Sequence, residues 1–348
     1  MVIHVVGARP QFIKLAPVIK AFKEADIPYR IVHTGQHYDH TMSDLHFDTL
    51  DLPDPDYHLG IGSASHARQT AMMLEGIERV LIKEDPFLVL VYGDTNSTLA
   101  GALCAAKLMI PVGHVEAGVR SFDRRMPEEI NRILTDHISK YHFCPTQNAV
   151  NLLKAEGIEG ILSGDVMYDA LMDFSQIPTS HPYPSPFLLT TIHRAENTDN
   201  MGRFLAIWEG LSLIARDIPV IFPIHPRTRA MYPDILKNPG KGMNIVEPVS
   251  YLSMLAMIRD AQCMVTDSGG VQKEAFLLKT PCVTVRDTTE WPETVEAGAN
   301  RIIHADPQCI YTASMEMIRS ARFDRENPFG DGKASTAIAQ YIKNTCMD

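Results

Sequence analysis

Three acidic residues lie where predicted strands end, and carboxylates at such positions can carry out proton transfer. Asp94 closely follows the apolar run Phe87–Tyr92. Glu116 ends the segment Pro-Val-Gly-His-Val-Glu, and Glu128 opens a predicted helix. Ligands of open α/β sheets bind beyond the carboxyl ends of the strands. Carboxylates gathered there repel one another unless they are paired, hydrogen-bonded or used for proton transfer. The arrangement predicts an enzyme that moves protons on carbon.

Each carboxylate also has a structural interpretation. Asp94 could cap the helix predicted over Thr95–Met109, and Glu128 could support its own helix by pairing with Arg132 four residues later. For any one residue both interpretations stay open. Three such residues at neighbouring strand ends, near two predicted anion sites, favour a role in chemistry.

The first predicted anion site follows the first strand. Gly7-Ala8-Arg9-Pro10 leads into a helix that also carries Lys14, and Pro10 suits a first helical turn. Cations at a helix N-terminus oppose the helix dipole unless an anion binds there. The alternative is that Arg9 and Lys14 simply extend into solvent. No G-x-G-x-x-G motif follows this strand, which disfavours a dinucleotide cofactor bound in the usual way.

The second predicted anion site is Thr266-Asp267-Ser268-Gly269-Gly270, which leads from a strand into a helix predicted over Val271–Leu278. Its amides and the Ser268 hydroxyl could bind a diphosphate, and Glu274, one turn further on, could accept both hydroxyls of a ribose. An ordinary strand-to-helix turn with a good N-cap is the alternative.

Two histidines with neighbouring arginines follow strands in the second half. His193-Arg194 and His225-Pro226-Arg227 each come directly after an apolar run. An imidazole beside a diphosphate can donate to a leaving oxygen. A structural role is the alternative for each. We predict no metal site, because the chain has no H-E-x-x-H motif and no Cys/His cluster.

Composition describes an ordinary soluble protein. The chain has 348 residues, 45% hydrophobic and 21% charged, with a formal net charge of −10. This acidity argues against nucleic acid as the main partner. The six cysteines are scattered, which predicts free thiols. We predict a cytoplasmic protein, because the first strand leaves no room for a signal peptide and no apolar run reaches membrane-spanning length.

Strand-like runs alternate with helical periods from end to end, which predicts an α/β fold with two Rossmann-like, doubly wound domains. The first domain is predicted over residues 1–168. The second domain is predicted over 169–332. A short amphipathic helix at about 333–348 ends the chain. The predicted strands are, in order, Val2–Val6, Arg30–His33, Phe87–Tyr92, Val112–Val115, His142–Cys144, Ile161–Leu162, Phe187–Ile192, Val220–Ile224, Asn244–Val246, Cys263–Thr266, Cys282–Val285 and Arg301–Ile303.

Seven motifs in order make the chain resemble the non-hydrolysing UDP-N-acetylglucosamine 2-epimerase family. They are Gly-Ala-Arg-Pro-Gln-Phe-Ile-Lys, His-Thr-Gly-Gln-His, Gly-Asp-Thr-Asn-Ser-Thr, His-Val-Glu-Ala-Gly-Val-Arg-Ser-Phe, Met-Pro-Glu-Glu-Ile-Asn-Arg, His-Arg-Ala-Glu-Asn and Thr-Asp-Ser-Gly-Gly-Val-Gln-Lys-Glu-Ala. The resemblance covers nearly the whole chain. It implies a glycosyltransferase-B-like fold with the nucleotide in the interdomain cleft and the terminal helix packed back on the first domain.

The resemblance also implies a reaction and its residues. The C2 proton is removed and UDP leaves C1, giving a 2-acetamidoglycal; UDP then adds back as a proton returns to the opposite face. No cofactor is needed, and relatives are typically homodimers. Asp94, Glu116, Glu128 and His193 would be catalytic. The residues expected to hold substrate and UDP are Arg9, Lys14, Arg132, His225, Ser268, Gly269, Gly270 and Glu274. Gln36, His37 and, less directly, Arg68 match a regulatory substrate site of bacterial relatives.

One departure leaves the sugar open. Many family members carry Arg after Thr-Thr-Glu, where this chain has Trp291. This feature is similar to a subgroup that acts on UDP-2,3-diacetamido-2,3-dideoxyglucuronate, whose carboxylate needs a cation such as Arg124 or Arg125; a solvated pair of loop arginines is the alternative. UDP-GlcNAc is the first candidate substrate. The rival functions are a glycosyltransferase, a hydrolysing epimerase and a sugar-nucleotide-binding regulator without chemistry.

Overall fold

The chain forms two compact α/β units in a computed structural model that describes residues 1–36, 52–175, 180–319 and 327–347. The first unit comprises Met1–Asp173 and Asn327–Asp348, and the second comprises Phe174–Glu326. No helix in these described ranges combines the length and apolar character needed to cross a bilayer.

The first unit is a seven-stranded parallel sheet with helices around it. Its strands are β1 Val2–Val6, β2 Tyr29–His33, β3 Tyr57–His58, β4 Leu88–Tyr92, β5 Val112–Val115, β6 Tyr141–Cys144 and β7 Ile161–Leu162. Its described helices are α1 Arg9–Glu24, α2 His66–Glu84, α3 Asn96–Lys107, α4 Pro127–Ile138, α5 Gln147–Ala155, α6 Val166–Ser175 and, at the end of the chain, α15 Ala334–Cys346. The strand order is β3-β2-β1-β4-β5-β6-β7.

The second unit repeats this plan with six parallel strands. They are β8 Leu188–Thr191, β9 Val220–Pro223, β10 Met243–Val246, β11 Cys263–Thr266, β12 Cys282–Val285 and β13 Asn300–Ile303. The helices are α7 Ala195–Thr198, α8 Met201–Ile214, α9 Pro226–Met231, α10 Pro233–Lys237, α11 Tyr251–Asp260, α12 Gly269–Leu277, α13 Pro292–Glu296 and α14 Pro307–Arg319. The order is β10-β9-β8-β11-β12-β13.

The central strands form because they are short, uninterrupted apolar runs. All five residues of β1 and of β4 are buried, as expected for a parallel sheet covered by helices on both faces. The predicted fold class is therefore confirmed. Every predicted strand overlaps an observed one, whereas the two-residue β3 was not predicted. Only two residues of β3 pair with β2, and a strand of two residues is too short to leave a recognisable pattern in the sequence.

Each sheet has one point at which the strand order reverses direction. In the first unit it lies between β1 and β4, and in the second between β8 and β11. Loops that follow two such strands diverge and leave a crevice, which is where doubly wound folds bind ligands. The topology therefore predicts that ligand-binding residues lie in the loops after β1, β4, β8 and β11, and in the loop after β5, which is the neighbour of β4.

The limits of the first unit differ from the predicted 168 and 333. The position 168/169 falls inside α6, whose Asp169 accepts hydrogen bonds from the amides of Ala334 (3.1 Å) and Ser335 (2.6 Å) at the start of α15. Burial raises the pKa of this carboxyl group. The contact joins α6 to the returning chain, and α15 in turn packs against α1 within the first unit.

Candidate functional site

Lys14 and Glu116 form a nearly buried ion pair at the reversal point of the first sheet. Lys14 Nζ, from α1, donates to Glu116 Oε1 at 2.5 Å, and the two side chains are about a tenth exposed. Gly93, directly after β4, leaves room for them, because a Cβ there would lie 3.1 Å from Lys14 Nζ. Glu116 itself has φ of 73°, a left-handed conformation that costs free energy in a residue with a side chain. The fold thus holds a carboxylate and an ammonium group together at a strained position.

Asp94 forms the second ion pair of this unit. Arg132, on α4, donates to Asp94 Oδ2 (2.6 Å) and to Glu129 Oε2 (2.8 Å). Glu129 is buried and also accepts from the amides of Ser121 (2.9 Å) and Phe122 (2.8 Å). Burial alone would raise the pKa of Glu129, but these amides and the Arg132 guanidinium outweigh it and lower the pKa. Glu129 therefore orients Arg132 toward Asp94.

Asp94 does not cap α3, and Glu128 does not pair with Arg132, although Glu128 does lie in the first turn of its own helix. The N-cap of α3 is Thr95, whose hydroxyl accepts from the Thr98 amide, so Asp94 is not the cap. Arg132 pairs instead with Asp94 and Glu129. Glu128 lies half-buried in the first turn of α4. Within the described part of the chain, its carboxylate forms neither a hydrogen bond nor an ion pair, which leaves it available to a ligand.

The loop after β1 is held by Gln11, which sequence reasoning missed. Gln11 Oε1 accepts from the amides of Gly7 (2.8 Å) and Ala8 (3.0 Å), and its Nε2 donates to the Tyr92 carbonyl (2.9 Å). The side chain therefore ties the end of β1 to the end of β4. Arg9 is the first residue of α1 and is half-buried.

In the second unit, Ser268, Gly269 and Gly270 form the turn from β11 into α12. The Ser268 hydroxyl caps the helix by accepting from the Val271 amide, at 3.5 Å. Gly270 is exposed, and a Cβ added to it would meet no described atom within 4 Å. Glu274 lies buried one turn further along. The turn presents amides, a hydroxyl and open space at a helix N-terminus, which suits an anion.

Asp267 connects this turn to the loop after β8. Its fully buried carboxylate accepts from the backbone amides of His193 (3.2 Å) and Arg194 (3.0 Å) and from Asn197 Nδ2 (3.1 Å). The imidazole of His193 remains exposed. Asp267 thereby brings the two loops at the reversal point of the second sheet together.

A buried ion pair lies beneath the start of α12. Arg286 donates twice to Glu290, at 2.6 and 3.0 Å, and both side chains are 2% exposed. Arg194 NH2 lies 3.5 Å from the same carboxylate. A Cβ on Gly269 would lie only 3.2 Å from Glu290 Oε2, so the pair packs directly against this glycine. Glu290 therefore connects the loop after β8 to the loop after β12.

The indole ring of Trp291 forms a cation–π contact with a lysine of a neighbouring helix. The Nζ atom of the buried Lys273, on α12, lies 4.1 Å from the centroid of the Trp291 ring. A cation over an indole face is attracted by the ring quadrupole. The position where the resemblance leads us to expect Arg therefore holds an indole that contacts a lysine of the predicted UDP-binding helix.

The remaining predicted residues lie at less enclosed positions. His225 is exposed at the N-terminus of α9, where its Nδ1 accepts from the Arg227 amide at 3.2 Å. Arg125 forms a bidentate ion pair with its neighbour Asp123, at 2.8 and 2.7 Å. Arg124 is exposed. Because Arg125 is already paired with Asp123, Arg124 is the better placed of the two loop arginines to bind a ligand carboxylate.

Of the predicted regulatory residues, Gln36 is buried and Arg68 is exposed on α2. Gln36 Oε1 accepts from the amide (3.0 Å) and the hydroxyl (2.7 Å) of Ser97, so its side chain is bonded within the unit. His37 lies outside the described residues. Across the residues that the structure does describe, no cluster of three or more His, Cys, Asp or Glu could hold a metal ion.

Comparison with known proteins gives a consistent result. The sequence profile described as UDP-N-acetylglucosamine 2-epimerase matches residues 20–343. The UDP-N-acetylglucosamine 2-epimerase of Methanocaldococcus jannaschii is 46% identical, with 97% of each chain aligned. The UDP-2,3-diacetamido-2,3-dideoxy-D-glucuronate 2-epimerase of Pseudomonas aeruginosa is also 46% identical, over 98% of this chain and 99% of the relative.

Solved structures agree with these relatives. The crystal structure of the Methanocaldococcus jannaschii UDP-GlcNAc 2-epimerase in complex with UDP-GlcNAc and UDP has a TM-score of 0.90 at 44% identity, covering 99% of both chains. A calicheamicin glycosyltransferase, 13% identical with a TM-score of 0.50, shares the fold alone. The glycosyltransferase-B-like fold class is confirmed.

Proposed function

Because this chain belongs to the UDP-N-acetylglucosamine 2-epimerase family and is an isomerase, we propose that it interconverts UDP-GlcNAc and UDP-ManNAc by eliminating and re-adding UDP. The observation that carries the mechanism is the pair of carboxylate–cation contacts in the first unit, Asp94 with Arg132 and Glu116 with Lys14. Both lie at strand ends beside the reversal point of a parallel sheet, where such folds bind substrate.

In this proposal the acids of the first unit act on the pyranose. One carboxylate among Asp94, Glu116 and Glu128 removes the C2 proton while the C1–oxygen bond breaks and its electrons leave with UDP. This gives a 2-acetamidoglycal. The diphosphate then attacks C1 again, and a proton returns to C2 from the opposite face, which needs a second protonated acid. The half-buried Glu128, which has no partner among the described residues, is the group best able to alternate between protonated and ionised forms.

The residues of the second unit are proposed to hold UDP. The amides and hydroxyl of Ser268–Gly270 bind the diphosphate, and Glu274 accepts the ribose hydroxyls. His193 and Arg194, held in place by Asp267, stabilise the charge that develops on the departing diphosphate. Charge neutralisation matters here because the chain as a whole has a net charge of −10.

The reaction is tested by incubating the protein with UDP-GlcNAc in deuterated water. Deuterium at C2, together with a mixture of UDP-GlcNAc and UDP-ManNAc, is expected by NMR. Asp94→Asn, Glu116→Gln and Glu128→Gln should each lower kcat by about two decades or more, as loss of a general acid or base does. Glu159→Gln, at an exposed acid of the same unit, is the matched control and should retain kcat. Near-normal rates in all three amide variants would contradict the acid–base assignment.

Binding of UDP is tested separately at Gly270. A methyl group there meets no described protein atom within 4 Å, so Gly270→Ala should leave the unfolding midpoint unchanged. If the turn binds diphosphate, however, the same methyl enters the ligand's space and raises the Kd for UDP about tenfold or more. Glu274→Gln should also weaken UDP and reduce its preference over 2′-deoxy-UDP. Unchanged Kd values for both variants would place the nucleotide elsewhere.

A second candidate substrate is UDP-2,3-diacetamido-2,3-dideoxyglucuronate. The Pseudomonas aeruginosa relative that acts on this sugar is as similar, at 46% identity, as the one named for UDP-GlcNAc. Running the deuterium experiment with both nucleotide sugars distinguishes the two. If the uronate is preferred, Arg124→Gln should lower kcat/KM for it but not for UDP-GlcNAc, because only the uronate carries a carboxylate. Net transfer of sugar to an added acceptor would instead favour the glycosyltransferase.

The biological setting is part of the same proposal. We place the enzyme in the cytoplasm, as a homodimer that supplies ManNAc-type precursors for cell-surface polysaccharide. Light scattering combined with gel filtration checks the dimer: a mass near 38.8 kDa, that of a single chain, would contradict it.

A further inference from the structure

His114 is a fully buried histidine whose two ring nitrogens both face hydrogen-bond acceptors. It lies on β5, two residues before Glu116, and has 0% exposure. Nδ1 lies 2.6 Å from Asp136 Oδ1, and Nε2 lies 2.7 Å from the carbonyl oxygen of Gly93. His4, equally buried, is a contrast, because its partner is the Tyr92 hydroxyl, which can donate as well as accept.

Counting protons decides the state of the His114 ring. A neutral imidazole has one N–H donor and one lone-pair acceptor. A backbone carbonyl has no proton to offer, so Nε2 must donate to Gly93. Asp136 has no proton to offer either while it is ionised, so Nδ1 must donate as well. At 2.6 and 2.7 Å, a lone pair facing either oxygen would be repelled. The geometry therefore requires both ring protons.

The charges around the ring agree with this count. Asp136 Oδ2 accepts from Arg120 at 2.6 Å and from the Gly118 amide at 3.1 Å. Arg120 also forms a bidentate ion pair with Glu156, at 2.8 and 2.9 Å. Two carboxylates thus meet a single guanidinium, and a positive His114 balances them. Burial would raise the pKa of Asp136, but His114 and Arg120 outweigh burial and lower the pKa.

Further titratable side chains lie near this group. The Cys144 thiol interacts with Asp136 and Arg120, and His137 Nδ1 lies 3.8 Å from Glu156 Oε2. His142, on β6, is paired in register with His114 and is buried. Its Nε2 donates to the backbone oxygen of Asp136 at 2.8 Å. It therefore contacts the same residue without touching the Asp136 carboxylate.

We propose that His114 is a positioning residue held as an imidazolium, which fixes the distance between the loop carrying Asp94 and the loop carrying Glu116. One ring N–H holds the carbonyl of Gly93, the residue before Asp94. The other holds Asp136, which in turn holds the amide of Gly118, two residues after Glu116. The inference rests on the proposed function only in giving those two carboxylates a catalytic role.

The backbone of both loops adopts left-handed conformations close to this ring. Gly93 has φ of 62°, Glu116 of 73° and Gly118 of 77°. Glycine adopts this conformation readily, but at the non-glycine Glu116 it costs free energy and persists only where surrounding contacts enforce it. A charged ring at the centre supplies two charge-assisted hydrogen bonds, which are stronger than neutral ones. Loss of either bond would let the loops relax.

The protonation state is tested on the full-length wild-type protein by ¹⁵N NMR of labelled histidine. Gly113–His114 is the only Gly-His dipeptide in the sequence, so labelling glycine with ¹³C at the carbonyl and histidine uniformly with ¹³C and ¹⁵N assigns the backbone amide of this residue and, through its side-chain carbons, its ring nitrogens, without a mutation. We expect a directly bonded proton on each ring nitrogen of His114 at pH 8. A single protonated nitrogen would overturn the proposal, whether or not the protein is an epimerase.

The positioning role is tested by kinetics. His114→Gln can donate to only one of the two acceptors, and we expect kcat per folded enzyme to fall about tenfold to a hundredfold, as when catalytic groups are misplaced. The Kd for UDP should stay within about twofold, because the residues proposed to bind it belong to the second unit. His142→Gln is the matched control and should retain kcat. If His114→Gln does not fold, Asp136→Asn replaces it with the same expectation. Wild-type kcat in the folded variant would overturn the positioning role.

Discussion

Removing one partner of the buried ion pair between Arg286 and Glu290 should destabilise the second unit far more than removing both. Arg286→Met removes the cation and leaves Glu290, 2% exposed, beside only the more distant Arg194. Breaking a buried pair from one side costs about 3–5 kcal/mol, because the other charge stays buried without compensation. With a urea m-value of about 2 kcal/mol/M, the unfolding midpoint should fall by about 1.5–2.5 M.

The assay can be confined to this unit, because both tryptophans of the chain, Trp208 and Trp291, belong to it. Urea unfolding followed by tryptophan fluorescence therefore reports the second unit. Arg286→Met with Glu290→Gln removes both charges and should recover most of the lost midpoint. Arg301→Gln breaks an ion pair with Glu316 whose side chains are half-exposed, and should cost about 0–1 kcal/mol. A shift no larger than that of the Arg301 variant would refute the reasoning.

Three further expectations follow from the same contacts. Asp267→Asn leaves three N–H donors facing one amide oxygen, so the KM for UDP-sugar should rise about tenfold, while Asp260→Asn, at a partly exposed aspartate of the same unit, should not change it. Burial lowers the pKa of His4 from 6.5 to about 3 and that of His33 to about 4. As the pH falls, the unfolded chain therefore binds protons at these histidines before the folded protein does. The free energy of unfolding should fall as the pH drops below 6.5, by up to about 1.4 kcal/mol per pH unit for each histidine. Equal urea midpoints at pH 7 and pH 5, measured by circular dichroism, would contradict this. In native protein, a thiol reagent should modify the exposed Cys309 before the buried Cys104, Cys144, Cys263 and Cys282, and mass spectrometry of the labelled peptides checks the order.

The fold was predictable because the sheets are built from continuous apolar runs. Val2–Val6 and Cys263–Thr266 were located to the residue, since fully buried parallel strands leave no alternation to misread. The boundaries of the two units were harder to predict from the sequence. They depend on Asp169 binding the amides of Ala334 and Ser335, a contact between residues far apart in sequence.

Part of the candidate site was predictable for the same reason. Asp94 and Glu116 follow adjacent strands of a parallel sheet, so the topology alone brings them together. The supporting residues were not predictable. Glu128 and Glu129 are neighbours in one helix, and only the rotation of about 100° per residue decides which one turns inward to bind Arg132. Asp136 meets His114 across 22 residues of sequence that carry no shared pattern.

The order in which the chain builds its two units has a consequence for biosynthesis. The second unit is contiguous, from Phe174 to Glu326, whereas the first needs both Met1–Asp173 and the segment from Asn327 onward. A ribosome therefore releases every residue of the later half before it supplies α15, which covers α1. Domains generally fold as they emerge. The second unit should thus reach its native state on the nascent chain, while the first unit, which holds the acidic residues, waits for the final helix.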